Sequence, residues 1–188
     1  MQTASSETGD IRNLIWIGLV TVASVLLTGV FACALPLAAL AAFAALDVRL
    51  RNGLLLIGAV WLANQLLGFL VLGYPHEVQA YAWGIVMLAA TVAAFFGARQ
   101  VLSAFAGTSK TLAAVSAFAL AFASYEILLY AATYVLGGGT DAFAMPIVQQ
   151  LAIVNAISFA VLLVAHRILV SVGAMPRNLI EGGSAMTA

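Results

Sequence analysis

TLAAVSAFALAFASYEILLYAATYVL, residues 111–136, carries a single ionisable acid, Glu126, roughly midway along an otherwise apolar run. A helix needs roughly 20 such residues to cross about 30 Å of hydrocarbon, whereas a barrel strand uses about 10. The run shows no alternation of apolar and polar positions, so it reads as a transmembrane helix. A carboxylate in the middle of such a helix is costly, and that cost points to a function.

Similar runs lie on either side, near Gly53–Leu72, Ala80–Ala98 and Pro146–Val170. Hydrophobic residues are 64% of the chain and charged residues 7%, which marks membrane protein almost throughout. The charge-free opening stretch Asn13–Leu46 would be about 51 Å long as one helix, too long for an ordinary crossing. Pro36 lies inside it, where a missing N–H and a ring clash favour a break. The expected fold is therefore an all-α, polytopic helical bundle. It has six transmembrane helices if Asn13–Ala34 and a short Pro36–Leu46 segment are separate, or five if Asn13–Leu46 is one tilted helix.

The 188 residues make one transmembrane domain, with a bundle over 13–172 and polar tails at 1–12 and 173–188. The first tail carries Glu7 and Asp10 before Arg12 and lacks the basic region of a secretory signal, so the first span is expected to be retained. With six spans, Arg12, Arg49, Arg51, Arg99, Lys110, Arg167 and Arg177 all fall on one side, which the positive-inside rule makes cytoplasmic, together with both termini. The expected location is a bacterial-type cytoplasmic membrane. Zero net charge and the absence of a basic run exclude a nucleic-acid surface and a polybasic lipid-binding segment.

This orientation turns two base-free loops outward, Gly73-Tyr74-Pro75-His76-Glu77 and Gly137-Gly138-Gly139-Thr140-Asp141. Both suit turns, and the triple glycine also suits the hinge of a small lid. The intramembrane polar residues gather toward the same outer side: Asn64 and Gln65, Tyr81 and Trp83, Glu126, then Gln149, Gln150 and Asn155. Glu126, Tyr130 and Tyr134 are spaced four apart and share a helix face. The tyrosines also fit an interfacial aromatic belt, and the amides also fit interhelical hydrogen bonds worth about 0.6 kcal/mol each. The expected substrate-binding set is Glu126, Asn64, Gln65, Tyr130, Gln150, Asn155 and Trp83. It forms an amphipathic cavity open to the outside above an apolar inner half.

His76 is the only imidazole on the outer side and is the candidate metal ligand, since neutral imidazole binds Co, Ni, Cu or Zn well. The lone Cys33 excludes an internal disulfide and is expected to pack as a small hydrophobe. Ala38, Ala39, Ala41, Ala42, Ala44 and Ala45 present small residues that suit packing within the bundle, or docking of a membrane partner with Arg49 and Arg51 at its edge. On the docking reading, Ala42→Leu would spare binding and impair uptake. No phosphate loop, metalloprotease helix or nucleophile elbow occurs, so the chain is expected not to be an enzyme and to need no cofactor of its own.

In its span count, one-sided basic residues, polar outer half-cavity and alanine-rich face, the chain resembles the substrate-binding S components of energy-coupling-factor vitamin transporters, most closely solitary cobalamin-type members. The resemblance covers the whole topology and rests on no diagnostic motif. It implies capture of a vitamin or precursor, and delivery by a transmembrane coupling protein with paired ATPases or, in solitary members, without them. The family's alanine-x-x-x-alanine docking signal belongs to its first helix, whereas here Ala38–Ala42 and Ala41–Ala45 follow Pro36. Some cobalamin-binding members ligate cobalt through a cysteine; Cys33 lies elsewhere, and His76 is a chemically reasonable substitute toward the cobalt of a bound corrinoid. Two other readings stay open: a non-catalytic structural or assembly subunit of a larger membrane complex, and a proton-coupled carrier working through Glu126.

Overall fold

The computed structural model describes residues 36–47, 49–105, 107 and 109–171, together with Gly18 and Thr21. The segment Asn13–Ala34, Cys33 and both polar tails lie outside the described residues, apart from those two positions. The described elements are all helical: α1 (Leu37–Asp47), α2 (Leu50–Leu70), α3 (Val78–Ala104), α4 (Lys110–Leu136), a 3-10 turn (Thr140–Phe143) and α5 (Met145–Ser171). Four of these, α2 to α5, are long and apolar enough to cross a membrane, so this is an integral membrane protein. Each of the four expected later spans is present, with ends displaced by a few residues.

Local chemistry accounts for two of those ends. The Ser109 hydroxyl accepts the Leu112 N–H at 3.1 Å and caps the start of α4. Pro146 stands in the first turn of α5, where its missing N–H costs nothing. Helix α3 continues past its expected end at Ala98 to Ala104, and on it Arg99 folds its guanidinium 5.6 Å over the Phe95 ring.

Successive long helices are antiparallel. Gly53 of α2 lies under Phe95 near the far end of α3, whereas Phe69 stacks on Tyr81 near its start. Phe118 of α4 stacks on Phe159 of α5 at 5.0 Å, and Tyr130 meets Phe143 just before α5. Arg49, Arg51, Arg99, Lys110 and Arg167 consequently all gather at one end of the bundle. The His76 and Gly137 loops lie at the other, called the outer end below on the positive-inside rule.

The expected second span is corrected. Helix α1 begins immediately after Pro36, whose carbonyl accepts the Leu40 N–H at 3.0 Å, and it has 11 residues. Such a helix rises only about 16 Å, half the hydrocarbon thickness. By itself it is too short to cross the membrane, and it forms the core of the bundle. Leu37 through Ala44 are at most 2% exposed, and α1 packs against all four long helices. Alanines let those helices approach closely, while Leu37, Leu40 and Phe43 fill the space between them. The partner-docking role of Ala38–Ala45 is corrected with it, because that face is already covered by the protein's own helices.

Candidate functional site

The start of α1 leaves backbone N–H groups without intrahelical acceptors in the middle of a membrane bundle. Asn155 of α5, 4% exposed, supplies one: its Oδ1 accepts the Ala39 N–H at 3.0 Å while its Nδ2 donates to Leu151 O at 3.0 Å. Both ends of this amide are thus engaged in holding the half-helix.

The other expected residues lie at several levels. Gln65 crosses to α3 at Gly84, where an added β-carbon would come within 2.6 Å of its Oε1. Trp61 donates its indole N–H to Gly84 O at 2.7 Å, so Gly84 is the close approach that joins α2 to α3. Asn64 is half-buried on α2 beside this contact. Trp83 lies against Gly139, and Gln79 donates to Gly137 O at 2.9 Å, which ties the start of α3 to the glycine loop. Gly137, Gly138 and Gly139 all have positive φ, 74°, 79° and 84°, a backbone that side chains disfavour.

Gln65 lies about 8 Å inside the outer end of α2, against Gly84 of α3. Glu126 lies about 15 Å inside the outer end of α4. Among the described residues, Asn64 and Gln65 make no hydrogen bond to Glu126. Gln149 and Gln150 are both exposed on the outer part of α5.

His76 is part of a rim cluster. Its Nδ1 is 2.8 Å from Tyr81 Oη, and its ring stacks on Phe69 at 5.4 Å, which itself stacks on Tyr81 at 4.8 Å. No group of three His, Cys, Asp or Glu residues with metal-holding geometry occurs among the described residues.

Glu126 itself is half-buried, and among the described residues its carboxylate has no hydrogen-bond partner. It sits in the middle of a longer stripe than Tyr130 and Tyr134 alone suggest: Phe118, Phe122, Glu126, Tyr130 and Tyr134 recur every fourth residue. Each step of four turns about 40° round the helix, so the stripe winds from the core toward the surface. Phe118 and Phe122 are half-buried, whereas Tyr130 is 43% and Tyr134 72% exposed.

Below Glu126, Phe122 stacks on Phe118, which stacks on Phe159 of α5. Above it, Tyr130 meets Tyr134 edge-on at 5.4 Å with their hydroxyls 2.8 Å apart, and Phe143 edge-on at 5.2 Å. Glu126 thus stands on α4 one turn from Phe122, whose stack reaches Phe159 of α5, and one turn from Tyr130, which meets Phe143. The phenylalanines were legible in the sequence as an i, i+4 extension of the tyrosine stripe; Phe143 and Phe159 come from another part of the chain. A separate groove of about 330 Å³ between α3 and α4, lined by residues such as Val86, Ala90, Leu128 and Ala132, contains none of the expected site residues.

No protein-family model, curated protein or solved structure matches this chain.

Proposed function

We propose that this protein captures a small organic molecule from the outer side of the membrane, at a site centred on Glu126 and Tyr130 of α4. One observation carries the reading: a carboxyl group inside a membrane-spanning helix, half-buried, with no hydrogen-bond partner among the described residues. Such a group costs several kcal/mol to hold in hydrocarbon, roughly 2.5–3.5 on insertion scales, unless something pairs with it. A ligand supplies that partner. The process is micronutrient uptake of the kind the resemblance to energy-coupling-factor S components implies, with any energising partner docking away from Ala38–Ala45.

Native mass spectrometry of the protein extracted from its own host tests this. The expected result is a stoichiometric organic ligand on the wild type that is lost from Glu126→Gln. A specific set of contacts favours a second reading, a structural subunit: Asn155, Trp61 and Gln79 are all engaged in bonds between elements. On that reading the extracted protein carries other subunits and no ligand, and Glu126→Gln changes nothing.

A further inference from the structure

We propose that the molecule held at Glu126 is an organic cation, a protonated or quaternary amine with an apolar body. The proposal rests on the capture reading above and names its ligand class. Three features lead to it. The first is the distance of any internal counter-charge. The described bases, Arg49, Arg51, Arg99, Lys110 and Arg167, all sit at the cytoplasmic end, and Lys110 at the start of the same helix is about 24 Å from Glu126 along its axis. That is far outside the roughly 4–6 Å at which a base pairs with a carboxylate.

The second feature is the charge of the approach. Among the described residues, the ionisable groups on the outer loops and rim are Glu77, Asp141 and His76, with no Lys or Arg. Together with Glu126 this field attracts cations and repels anions. A carboxylate-bearing ligand would meet Asp141 on the way in and Glu126 at the end, with no described base to receive it.

The third feature is the lining. Phe118, Phe122 and Phe159 lie below Glu126, and Tyr130, Tyr134 and Phe143 above it. Aromatic faces attract ammonium groups through their quadrupoles and accept an apolar body equally well. A carboxylate one helical turn from two such groups recognises charge and hydrocarbon together. The two linked tyrosine hydroxyls add polar contacts toward the mouth.

Two measurements test the class. Host-extracted protein is analysed for the charge of its bound ligand, and purified protein in lipid nanodiscs is titrated with radiolabelled benzyltrimethylammonium, with benzoate as the anionic comparator. The expected results are a cationic native ligand, saturable benzyltrimethylammonium binding and no benzoate binding. Glu126→Gln weakens the cation on the order of tenfold or more, as loss of one partner of a desolvated charge pair does. Glu126→Asp, which keeps the charge, retains most of the affinity, and Gln150→Ala retains all of it. A neutral or anionic native ligand that is lost from Glu126→Gln overturns the cation class and leaves capture standing. Absence of any native ligand together with absence of cation binding overturns both.

Discussion

The Oδ1 of Asn155 accepts the N–H of Ala39 from 116 positions away in the chain, and so caps a helix to which it does not belong. In water such a cap replaces one solvent bond with another; inside a bundle there is no solvent to replace. Asn155→Leu leaves the Ala39 N–H buried and unpaired, and is expected to lower stability by about 1–3 kcal/mol. Thermal unfolding in detergent reads this directly. Gln150→Leu, on the exposed side of the same helix, is expected to leave the midpoint unchanged.

Ser158, one turn further along α5, makes the opposite prediction. Ser158 is 1% exposed and among the described residues its hydroxyl has no hydrogen-bond partner, whereas those of Thr91, Ser124 and Thr133 each donate to a carbonyl of their own helix. Ser158→Ala removes an unsatisfied polar group at little cost in volume. The same unfolding measurement is expected to show a gain of up to about 1 kcal/mol.

Ala42 is fully enclosed, so its side chain faces packed helices and no outside partner. Ala42→Leu is expected to cost about 1–3 kcal/mol by overpacking. The loss appears as reduced yield and a lower unfolding midpoint in the isolated protein. A variant that is fully stable but defective only in a partnered assay would contradict the enclosed position of α1.

Gly84 lets Trp61 and Gln65 reach α3. Gly84→Ala is expected to be mild, because the neighbour it displaces is the flexible end of Gln65. Gly84→Leu has no such escape and is expected to separate α2 from α3 at their outer ends. Tryptophan emission checks the pair: a red shift from newly wetted Trp61 is expected in the leucine variant and not in the alanine variant.

The four long spans were legible because length and hydropathy decide a membrane helix almost alone, and their ends moved by only a few residues. Pro36 announced the break before α1, but the depth of α1 in the bundle was not legible. An alanine-rich segment reads alike whether it lies at a surface or a core, and only its neighbours distinguish the two. The polar residues divided similarly. Glu126 and Tyr130 share a face by spacing, which four-residue periodicity fixes. Asn155 and Gln65 were grouped with them by depth, and depth says nothing about direction: one turned to a backbone N–H and the other to a glycine. Gln150, about 140° round from Asn155 on an ideal helix, is exposed where Asn155 is buried.

The central place of α1 also sets an order on assembly. The ribosome delivers α1 before any of the four helices that enclose it, and Asn155 arrives last of all. Until α5 is inserted, α2, α3 and α4 can pack on α1, but the Ala39 N–H lacks its Asn155 acceptor. The bundle therefore completes its centre late, from the carboxy-terminal side. Nascent chains stopped short of Asn155 should be the species that membrane quality control recognises and removes.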